Sequence, residues 1–486
     1  MIIKQIFSRG LKTLKKPLIM WFFSLFCSIP SNMSVIGSFN KALKLSGSQN
    51  FPNDLESLWM PFSANKHFKK NPRIISRAKG MYYYTPSGDQ ILDGVAGLWC
   101  CNAGHTREPI VEAIKKQAEE LDFAPAFNMG HPKSFELSSK LSQMAPRGFN
   151  HVFFGNSGSE AVESALKIAL SYWREKGQES KKILIGRNRG YHGTNFGGVS
   201  VGGIEKNRAQ FNKFLPDVYH LSDTHNLKKN AFSKGQPDWG EELADELDTM
   251  IEKHRSENIA AVIVEPVAGS TGVLIPPKNY LKKIKRKCVE NNILLIFDEV
   301  ITGFGRLGKS FASEYFDITP DLICLAKGIN SGTVPMGAVL VQDEIYNAFM
   351  NKDEKMIDLF HGYTYSAHPL ACAASLAALK LYKEEGLFER ASELSKYWED
   401  GIHSLKGIKN IIDIRNLGLI GAVELEPMDG KPTRRAYNVL CEAFINQKTL
   451  LRVTGDIIAL SPPLIIEKNQ IDQLIENLKT TLQQTE

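Results

Sequence analysis

The sequence lacks the cysteine pattern of a disulfide-bonded or zinc-binding protein. Its seven cysteines have no regular spacing, which argues against a disulfide framework and indicates a reducing compartment. Cys100 and Cys101 precede His105, but this spacing matches no common zinc motif and no second pair follows. We therefore interpret the pair as buried structural thiols and expect no metal site.

Nucleotide motifs and concentrated basic charge are missing as well. Neither a Walker motif nor a convincing G-x-G-x-x-G pattern occurs, so nucleotide binding is not supported. The 59 basic and 53 acidic residues are mixed along the chain and give a net charge of +6. The basic run at residues 282–287 is typical of a solvated helix face rather than of a basic stripe with interleaved aromatic residues. We expect no nucleic-acid partner.

Long apolar runs are absent after residue 48, so we expect no membrane-spanning segment there. In residues 1–48 a basic stretch leads into the apolar residues 18–29. This is the order of a signal peptide, but no clear cleavage site follows, and the run is too short to span a bilayer comfortably. Either the segment targets the chain to an organelle or for export, or it is a non-native extension with the working start near Met33. We favour the second hypothesis and expect a cytoplasmic protein.

The alternation of apolar runs and helical patterns predicts an α/β fold. Hydrophobic residues make up 43% and charged residues 23% of the 486 residues, as in a globular protein with a large and a smaller domain. Continuous β-branched runs within residues 152–341 favour a mostly parallel sheet with helices on both faces. A hairpin is predicted at residues 82–93, and a smaller α+β region after residue 369. The predicted domains are a leader at 1–48, the N-terminal part of the small domain at 49–100, the large domain at 101–369 and the C-terminal small domain at 370–486.

Polar groups follow the predicted strands, where ligands bind in open α/β sheets. Between a strand and a helix, residues 155–161 have the sequence GNSGSEA. Gly158 lets the backbone come close to a ligand, and Ser159 with the free amides of the helix start can hold a phosphate. The alternative is a simple capping box formed by Ser157 and Glu160.

Further strand ends carry ionisable or flat groups. Asp298 follows an apolar run, where it would pair with a protonated ring nitrogen, or else cap a helix or bind a metal. Lys327 ends the run at 322–326, where burial would make its amine neutral and nucleophilic. The alternative, a surface lysine, is disfavoured by Asp298 and the phosphate loop. Tyr191 is placed to stack on a flat ring, whereas His192 by itself is typical of a structural histidine.

These residues resemble those of the class III aminotransferases of fold type I, most of all the ω-amino-acid–pyruvate and β-alanine–pyruvate transaminases. The resemblance runs from about Trp59 to the C-terminal region. It implies a large sheet of the seven-stranded type and pyridoxal 5'-phosphate (PLP) as cofactor. In the implied cofactor site Gly158 and Ser159 hold the phosphate, Tyr191 and Val300 pack on the ring faces, His192 lies beside them, Asp298 pairs with the ring nitrogen, and Lys327 forms the Schiff base.

The resemblance also implies contacts with the substrate and with a second subunit. Phe62 and Trp99 resemble the aromatic wall of the pocket, and Arg452 resembles the arginine that binds the substrate carboxylate through two parallel hydrogen bonds. The alternative for Arg452 is a surface arginine in a turn. Glu265 lies where some relatives pair a glutamate with that arginine. Thr364 resembles the threonine that binds the phosphate of the neighbouring subunit, which implies a homodimer or a tetramer of dimers.

The implied activity is transamination between an amine and a keto acid with ping-pong kinetics. A donor such as β-alanine loses its amino group, pyruvate accepts it as L-alanine, and Lys327 moves the proton. An aminomutase or decarboxylase on the same scaffold, a dehydrogenase and a non-catalytic relative are the alternatives. The missing dinucleotide glycines count against the dehydrogenase, and Lys327 with Asp298 counts against the non-catalytic relative.

Overall fold

The computed structural model describes residues 55–212 and 214–485. The predicted leader and the first residues of the predicted small domain, up to residue 54, lie outside the described residues. The chain divides into two compact units, one ending at Arg73 and one spanning Ile74–Glu486. The described part of the first unit contains a single turn-and-a-half of helix, Asn65–Lys70, and the second unit contains the sheets.

Within the described residues the α-helices are α1 Asn65–Lys70, α2 Ala96–Trp99, α3 Glu108–Glu120, α4 Pro132–Met144, α5 Gly158–Glu175, α6 Phe196–Val201, α7 Glu205–Arg208, α8 Leu227–Asn230, α9 Glu246–His254, α10 Tyr280–Glu290, α11 Ala312–Phe316, α12 Asp343–Phe349, α13 Pro369–Glu384, α14 Leu387–His403, α15 Arg434–Ile445 and α16 Lys468–Gln484. The strands are β1 Arg77–Lys79, β2 Tyr82–Tyr84, β3 Gln90–Asp93, β4 His151–Gly155, β5 Ile183–Asn188, β6 Gly202–Gly203, β7 Val218–Leu221, β8 Ile259–Val264, β9 Leu294–Asp298, β10 Leu322–Leu325, β11 Gly337–Val341, β12 Ile411–Leu417, β13 Ile420–Leu425, β14 Thr449–Leu450, β15 Arg452–Thr454 and β16 Ile457–Leu460.

A mostly parallel sheet forms the centre of the second unit. Its strand order is β4-β11-β10-β9-β8-β5-β6, with β7 also paired to β5. Strand β11 is antiparallel to both of its neighbours, and β5, β8, β9 and β10 run parallel. The prediction of a mostly parallel sheet is therefore confirmed. The sheet has eight strands rather than seven, because the two glycines of β6 pair with the last two residues of β5.

Helices cover both faces of this sheet, as predicted. Successive side chains of a strand point to opposite faces, and along β9 Leu295 packs into one buried cluster and Ile296 into another. The first cluster includes residues of α10, and the second includes residues of α5. Strands buried on both faces need apolar residues at every position, which explains the continuous runs in the sequence.

The N-terminal hairpin and the C-terminal region share a second sheet. Strands β1, β2 and β3 are antiparallel neighbours, and β14 joins β3 in parallel. The C-terminal region also forms an antiparallel sheet in the order β12-β13-β16-β15. The predicted hairpin is confirmed, while the domain boundaries at residues 100 and 369 stay predictions. None of the helices in the described ranges is long and apolar enough to cross a bilayer.

Candidate active site

Five neighbouring segments meet at the carboxyl edge of the central sheet and enclose one cavity. They follow β4, β5, β8, β9 and β10, whose ends lie at this edge because those strands run in the same direction. The cavity is lined by Gly158, Ser159, Tyr191, His192, Gly193, Glu265, Asp298, Val300, Ile301 and Lys327. Eight of these ten residues are predicted site residues, so the structure brings most of the predicted site together.

Lys327 reaches this cavity from a strained backbone. It begins a short 3-10 helix, Lys327–Asn330, directly after β10, and its φ is +46°. This left-handed conformation is uncommon for a lysine and strains its backbone. Burial lowers the pKa of Lys327, and the nearby Asp298 opposes that shift. Since its side chain lines the cavity, Lys327 is an internal amine rather than the surface lysine of the alternative interpretation.

Asp298 is held by His192 at the floor of the cavity. The Asp298 side chain is 5% exposed and His192 is 1% exposed. His192 Nδ1 lies 2.8 Å from Asp298 Oδ2, and the amide of Val300 donates to Oδ1 at 3.1 Å. A carboxylate oxygen accepts hydrogen bonds, so Nδ1 of His192 is the donor in this contact when it carries the ring proton. His192 is thus a structural partner of Asp298 that also faces the cavity.

The next helix start is capped by Glu299 and not by Asp298. Glu299 is fully buried, and its carboxylate accepts hydrogen bonds from the amides of Ala312 and Ser313 at the beginning of α11. Burial raises the pKa of Glu299 to about 7, and these hydrogen bonds oppose the shift. Of the alternatives for Asp298, the helix cap therefore belongs to its neighbour. Sequence reasoning did not single out Glu299, although its position beside Asp298 was a signal.

The start of α5 supplies the anion-binding edge of the cavity. Ser157 caps this helix, with its Oγ accepting from the amide of Glu160 at 3.2 Å. The carboxylate of Glu160 accepts from the Asn156 amide instead of completing a capping box with Ser157. The first amides of a helix have no partner inside the helix, so they remain available to an anion beside Gly158 and Ser159.

Close packing at this helix start depends on two glycines. A Cβ on Gly158 would lie 2.9 Å from Cγ1 of Val300. Gly193 has a φ of +94°, and a Cβ there would lie 2.5 Å from Oγ of Ser159. Ser159 Oγ also accepts from the amide of Thr194 at 3.2 Å. The loop after β5 therefore closes directly over the helix start, and Gly193 of this loop also lines the cavity.

Glu265 fixes the loop that carries Tyr191. The amide of Tyr191 donates to Oε1 of Glu265 at 2.8 Å, and the amide of Gly269 donates to Oε2 at 3.1 Å. Burial raises the pKa of Glu265 to about 7, with a further upward contribution from the charge of Asp298. Both carboxylate oxygens are bound to backbone amides, so pairing of Glu265 with Arg452 stays a prediction.

Four predicted site residues are not among those that line the cavity. Arg452 begins β15 and is half-buried, its Nε has no hydrogen-bond partner, and its charge acts on Tyr191 and Lys327. Trp99 is 2% exposed and packs in an apolar cluster. Thr364 is exposed in a turn. Phe62 belongs to the first unit, where it is exposed. Their roles stay predictions.

The lining of the cavity fits PLP. A helix start with two small residues suits a phosphate, a buried carboxylate suits a protonated ring nitrogen, and a desolvated amine suits an aldehyde. Gly158 leaves the space beside Val300 that a larger residue would fill. Gly158 and Ser159 would hold the phosphate, Asp298 the ring nitrogen and Lys327 the aldehyde carbon.

Comparison with known proteins agrees with this site. The family described as "Aminotransferase class-III" matches residues 63–482. An "Omega-aminotransferase" of Caulobacter vibrioides is 56% identical over 434 residues, which cover 89% of this chain and 99% of that protein. An "Omega-amino acid--pyruvate aminotransferase" of Pseudomonas putida is 47% identical over 87% of this chain and 94% of that protein.

Solved structures show the same fold. The ω-transaminase of Pseudomonas jessenii in complex with PMP superposes with a TM-score of 0.82 at 32% identity, covering 88% of this chain and 96% of that one. The family match spans most of the chain, and the two relatives exceed 45% identity over nearly their whole lengths. The chain therefore belongs to the class III aminotransferases and is a PLP-dependent enzyme of that family.

Proposed function

We propose that the enzyme transfers the amino group of an ω-amino acid or a related amine to pyruvate, giving an aldehyde or ketone and L-alanine. The observation that carries the proposal is the position of Lys327, which lines one cavity together with Asp298 and the start of α5. The name of the Pseudomonas putida relative supports the pairing of an ω-amino acid with pyruvate.

Each protein group in the cavity has a separate chemical task. Bound PLP supplies an electron sink for the carbon that loses its proton. Burial lowers the pKa of Lys327, which favours the neutral amine that can take this proton and return it to a neighbouring carbon. Asp298 keeps a ring nitrogen protonated, and His192 holds the Asp298 carboxylate in place at 2.8 Å. Close placement of these groups replaces a bimolecular proton transfer by an internal one.

Arg452 is our candidate for binding the substrate carboxylate. Its pKa is lowered by burial, and its Nε has no partner, so an incoming carboxylate would satisfy a desolvated guanidinium with two hydrogen bonds. Trp99 and Phe62 are proposed as aromatic contacts of the same substrate. Glu265 is proposed to receive Arg452 when the substrate end is uncharged.

We also propose a homodimer in which Thr364 binds the cofactor phosphate of the neighbouring subunit. Thr364 is exposed, and Phe360 and Tyr365 beside it are 85% and 57% exposed. Exposed aromatic residues that cluster in this way are typical of protein interfaces. A Thr364→Val variant should lower PLP affinity while the sedimentation coefficient stays that of a dimer, and a monomeric wild-type enzyme would contradict the proposal.

The Lys327→Ala variant tests the proposed function. Wild-type enzyme is incubated with pyruvate and one of several donors, β-alanine, γ-aminobutyrate, a diamine or an aryl alkyl amine, and alanine formation is measured. We expect alanine with at least one of these donors and none with the variant, while Lys115→Ala, an exposed lysine on α3, behaves as wild type.

Borohydride reduction provides an independent measurement. Reduced wild-type enzyme should carry the coenzyme covalently on the peptide containing Lys327, and the Lys327→Ala variant should carry none. Wild-type turnover by the variant would contradict the role of Lys327. Turnover of the amine without a keto acid would instead identify an aminomutase or a decarboxylase.

A further inference from the structure

Two adjacent thiols lie close to Lys327 without a role in transamination. The Sγ atoms of Cys100 and Cys101 are 3.8 Å apart, and neither is part of a disulfide. Both residues are half-buried, so the expectation of buried structural thiols is wrong for their accessibility. In contrast, Cys288, Cys324 and Cys372 are buried in the core.

Both sulfurs rest against the loop that follows Lys327. A Cβ on Gly332 would lie 2.9 Å from Sγ of Cys100 and 3.4 Å from Sγ of Cys101. The amide of Gly332 donates to the carbonyl oxygen of Lys327 at 3.1 Å. The backbone just after the thiols is tied to the same loop, because the amide of Ala103 donates to Oγ of Ser331 at 2.9 Å. The two thiols therefore pack against the same loop that begins at Lys327.

The two thiols are electrostatically unequal. A hydrogen bond from Cys101 lowers the pKa of Cys100, and burial opposes that shift. The same hydrogen bond and burial raise the pKa of Cys101. Of the two thiols in contact, Cys100 is therefore the more acidic one. A half-exposed thiolate beside a second thiol is the arrangement of peroxide-sensitive cysteine pairs.

We propose that Cys100 and Cys101 form an oxidation site at which a peroxide converts the two thiols into a disulfide and thereby lowers transaminase activity. The Cys100 thiolate attacks one oxygen of hydrogen peroxide, the O–O bond breaks, and the departing hydroxide takes a proton to leave as water. Sulfur is oxidised to a sulfenic acid. Cys101 then attacks that sulfur, the S–O bond breaks, and hydroxide leaves as a second water with the Cys101 proton.

Closing this disulfide displaces the loop of Lys327. The sulfurs must approach from 3.8 Å to about 2.05 Å, which moves them by roughly 1.8 Å in total. Misplacement of a catalytic group by about 1 Å costs about a hundredfold in rate, so we expect the oxidised enzyme to be about ten- to a hundredfold slower. Consecutive Cα atoms are closer than the usual span of a disulfide, so the bond is strained and readily reduced by a thiol.

Peroxide treatment of the holoenzyme tests the proposal with two readouts. Activity should fall by about ten- to a hundredfold and return after dithiothreitol. Mass spectrometry should show that the peptide carrying Cys100 and Cys101 has lost two hydrogen atoms, a change that is independent of activity. The Cys100→Ser variant should resist peroxide. The Cys101→Ser variant should start at wild-type activity and lose much less of it than the wild type in the same peroxide treatment, because Cys100 then has no second thiol with which to close the disulfide.

Cys441→Ser serves as the matched control, since Cys441 is a half-buried thiol on α15, and it should respond as wild type. An enzyme that keeps its activity while the peptide loses two hydrogen atoms would overturn the link to Lys327. Inactivation with oxygen added to Cys100 and no disulfide formed would overturn the two-thiol site, as would equal sensitivity of the Cys100→Ser variant. None of these outcomes bears on transamination by the reduced enzyme.

Discussion

Replacing Gly158 by alanine should weaken cofactor binding without unfolding the protein. Gly158 is the first residue of α5, and its backbone has no positive φ that an alanine would have to adopt. The added Cβ would lie 2.9 and 3.1 Å from the two γ-carbons of Val300 and 3.6 Å from Cβ of Ala326. Val300 lines the cavity, so the easiest relief is a movement of its side chain into the space that PLP needs.

The expected loss follows from the cost of overpacking. Forcing one methyl group into a close-packed site costs about 1–3 kcal/mol. If the Val300 side chain moves into the cavity, the free energy of cofactor binding becomes less favourable by this amount, and PLP affinity drops by about 5- to 150-fold. The thermal unfolding of the apoenzyme should change little, because the Val300 side chain moves into open space there.

Titration of the apoenzyme with PLP, followed by its absorbance, measures the dissociation constant. Gly401→Ala is the matched control, because it lies inside α14 with its nearest contact at an ordinary 3.4 Å. That variant should bind PLP as wild type does and gain up to about 1 kcal/mol of stability.

A second substitution tests the direction of the displacement. If Val300 is the obstacle, then adding Val300→Ala to Gly158→Ala should cost less affinity than the sum of the two single changes, by about 0.5–3 kcal/mol. Wild-type affinity in Gly158→Ala would show that the phosphate end of the cofactor does not lie at this helix start. Strict additivity of the two substitutions would show that the added methyl group does not displace Val300.

Three further predictions concern groups around the cavity. His192→Phe removes the hydrogen bond to Asp298 Oδ2, and kcat should fall by about 10- to 150-fold, whereas an unchanged kcat would leave His192 without a positioning role. Arg452→Gln should slow the first half-reaction by about tenfold or more for donors with a carboxylate and should not slow it for simple amines. The rate is measured from the absorbance of the bound cofactor, and equal slowing with both kinds of donor would exclude a carboxylate contact. The pKa of Glu299 is raised from 4.5 to about 7, so the folded state binds the proton more tightly than the unfolded state does. The free energy of unfolding of the apoenzyme should therefore fall by on the order of 3 kcal/mol as the pH rises from 4.5 to about 7. Denaturant titrations of Glu299→Gln should show a flatter pH dependence, and an identical slope would mean that Glu299 does not titrate there.

The residues predicted to hold the cofactor meet in one cavity because they lie at strand ends. An apolar run marks a buried strand, and the residue that follows it has to lie at the sheet edge, so Asp298 and Lys327 are placed by local pattern alone. The helix start at Gly158 is also local. These residues come from separate strands, but the parallel direction of the strands brings their ends together without further information.

Other features depend on contacts that no local pattern contains. The eighth strand is a two-residue pairing of β6 with the end of β5, too short to have a periodicity. Arg452 lies more than a hundred residues after Lys327 in sequence, and its influence on that lysine arises from the pairing of β15 in another sheet. The contact of Cys100 with Gly332 joins residues far apart in the chain in the same way.

The backbone conformation of Lys327 is one that conformational propensity alone would not predict for a lysine. A positive φ costs a lysine about 1–3 kcal/mol, and a glycine at this position would avoid that cost. The conformation persists because its surroundings fix it: Tyr382 donates to the carbonyl oxygen of Gly328 at 2.6 Å, and the amide of Gly332 donates to that of Lys327 at 3.1 Å. A lysine in this conformation is unfavourable for folding alone, which is what we expect of a residue that is kept for its amine. A Lys327→Gly variant should therefore unfold at a temperature no lower than wild-type apoenzyme while losing transaminase activity, and a marked loss of stability would show that the lysine is retained for packing.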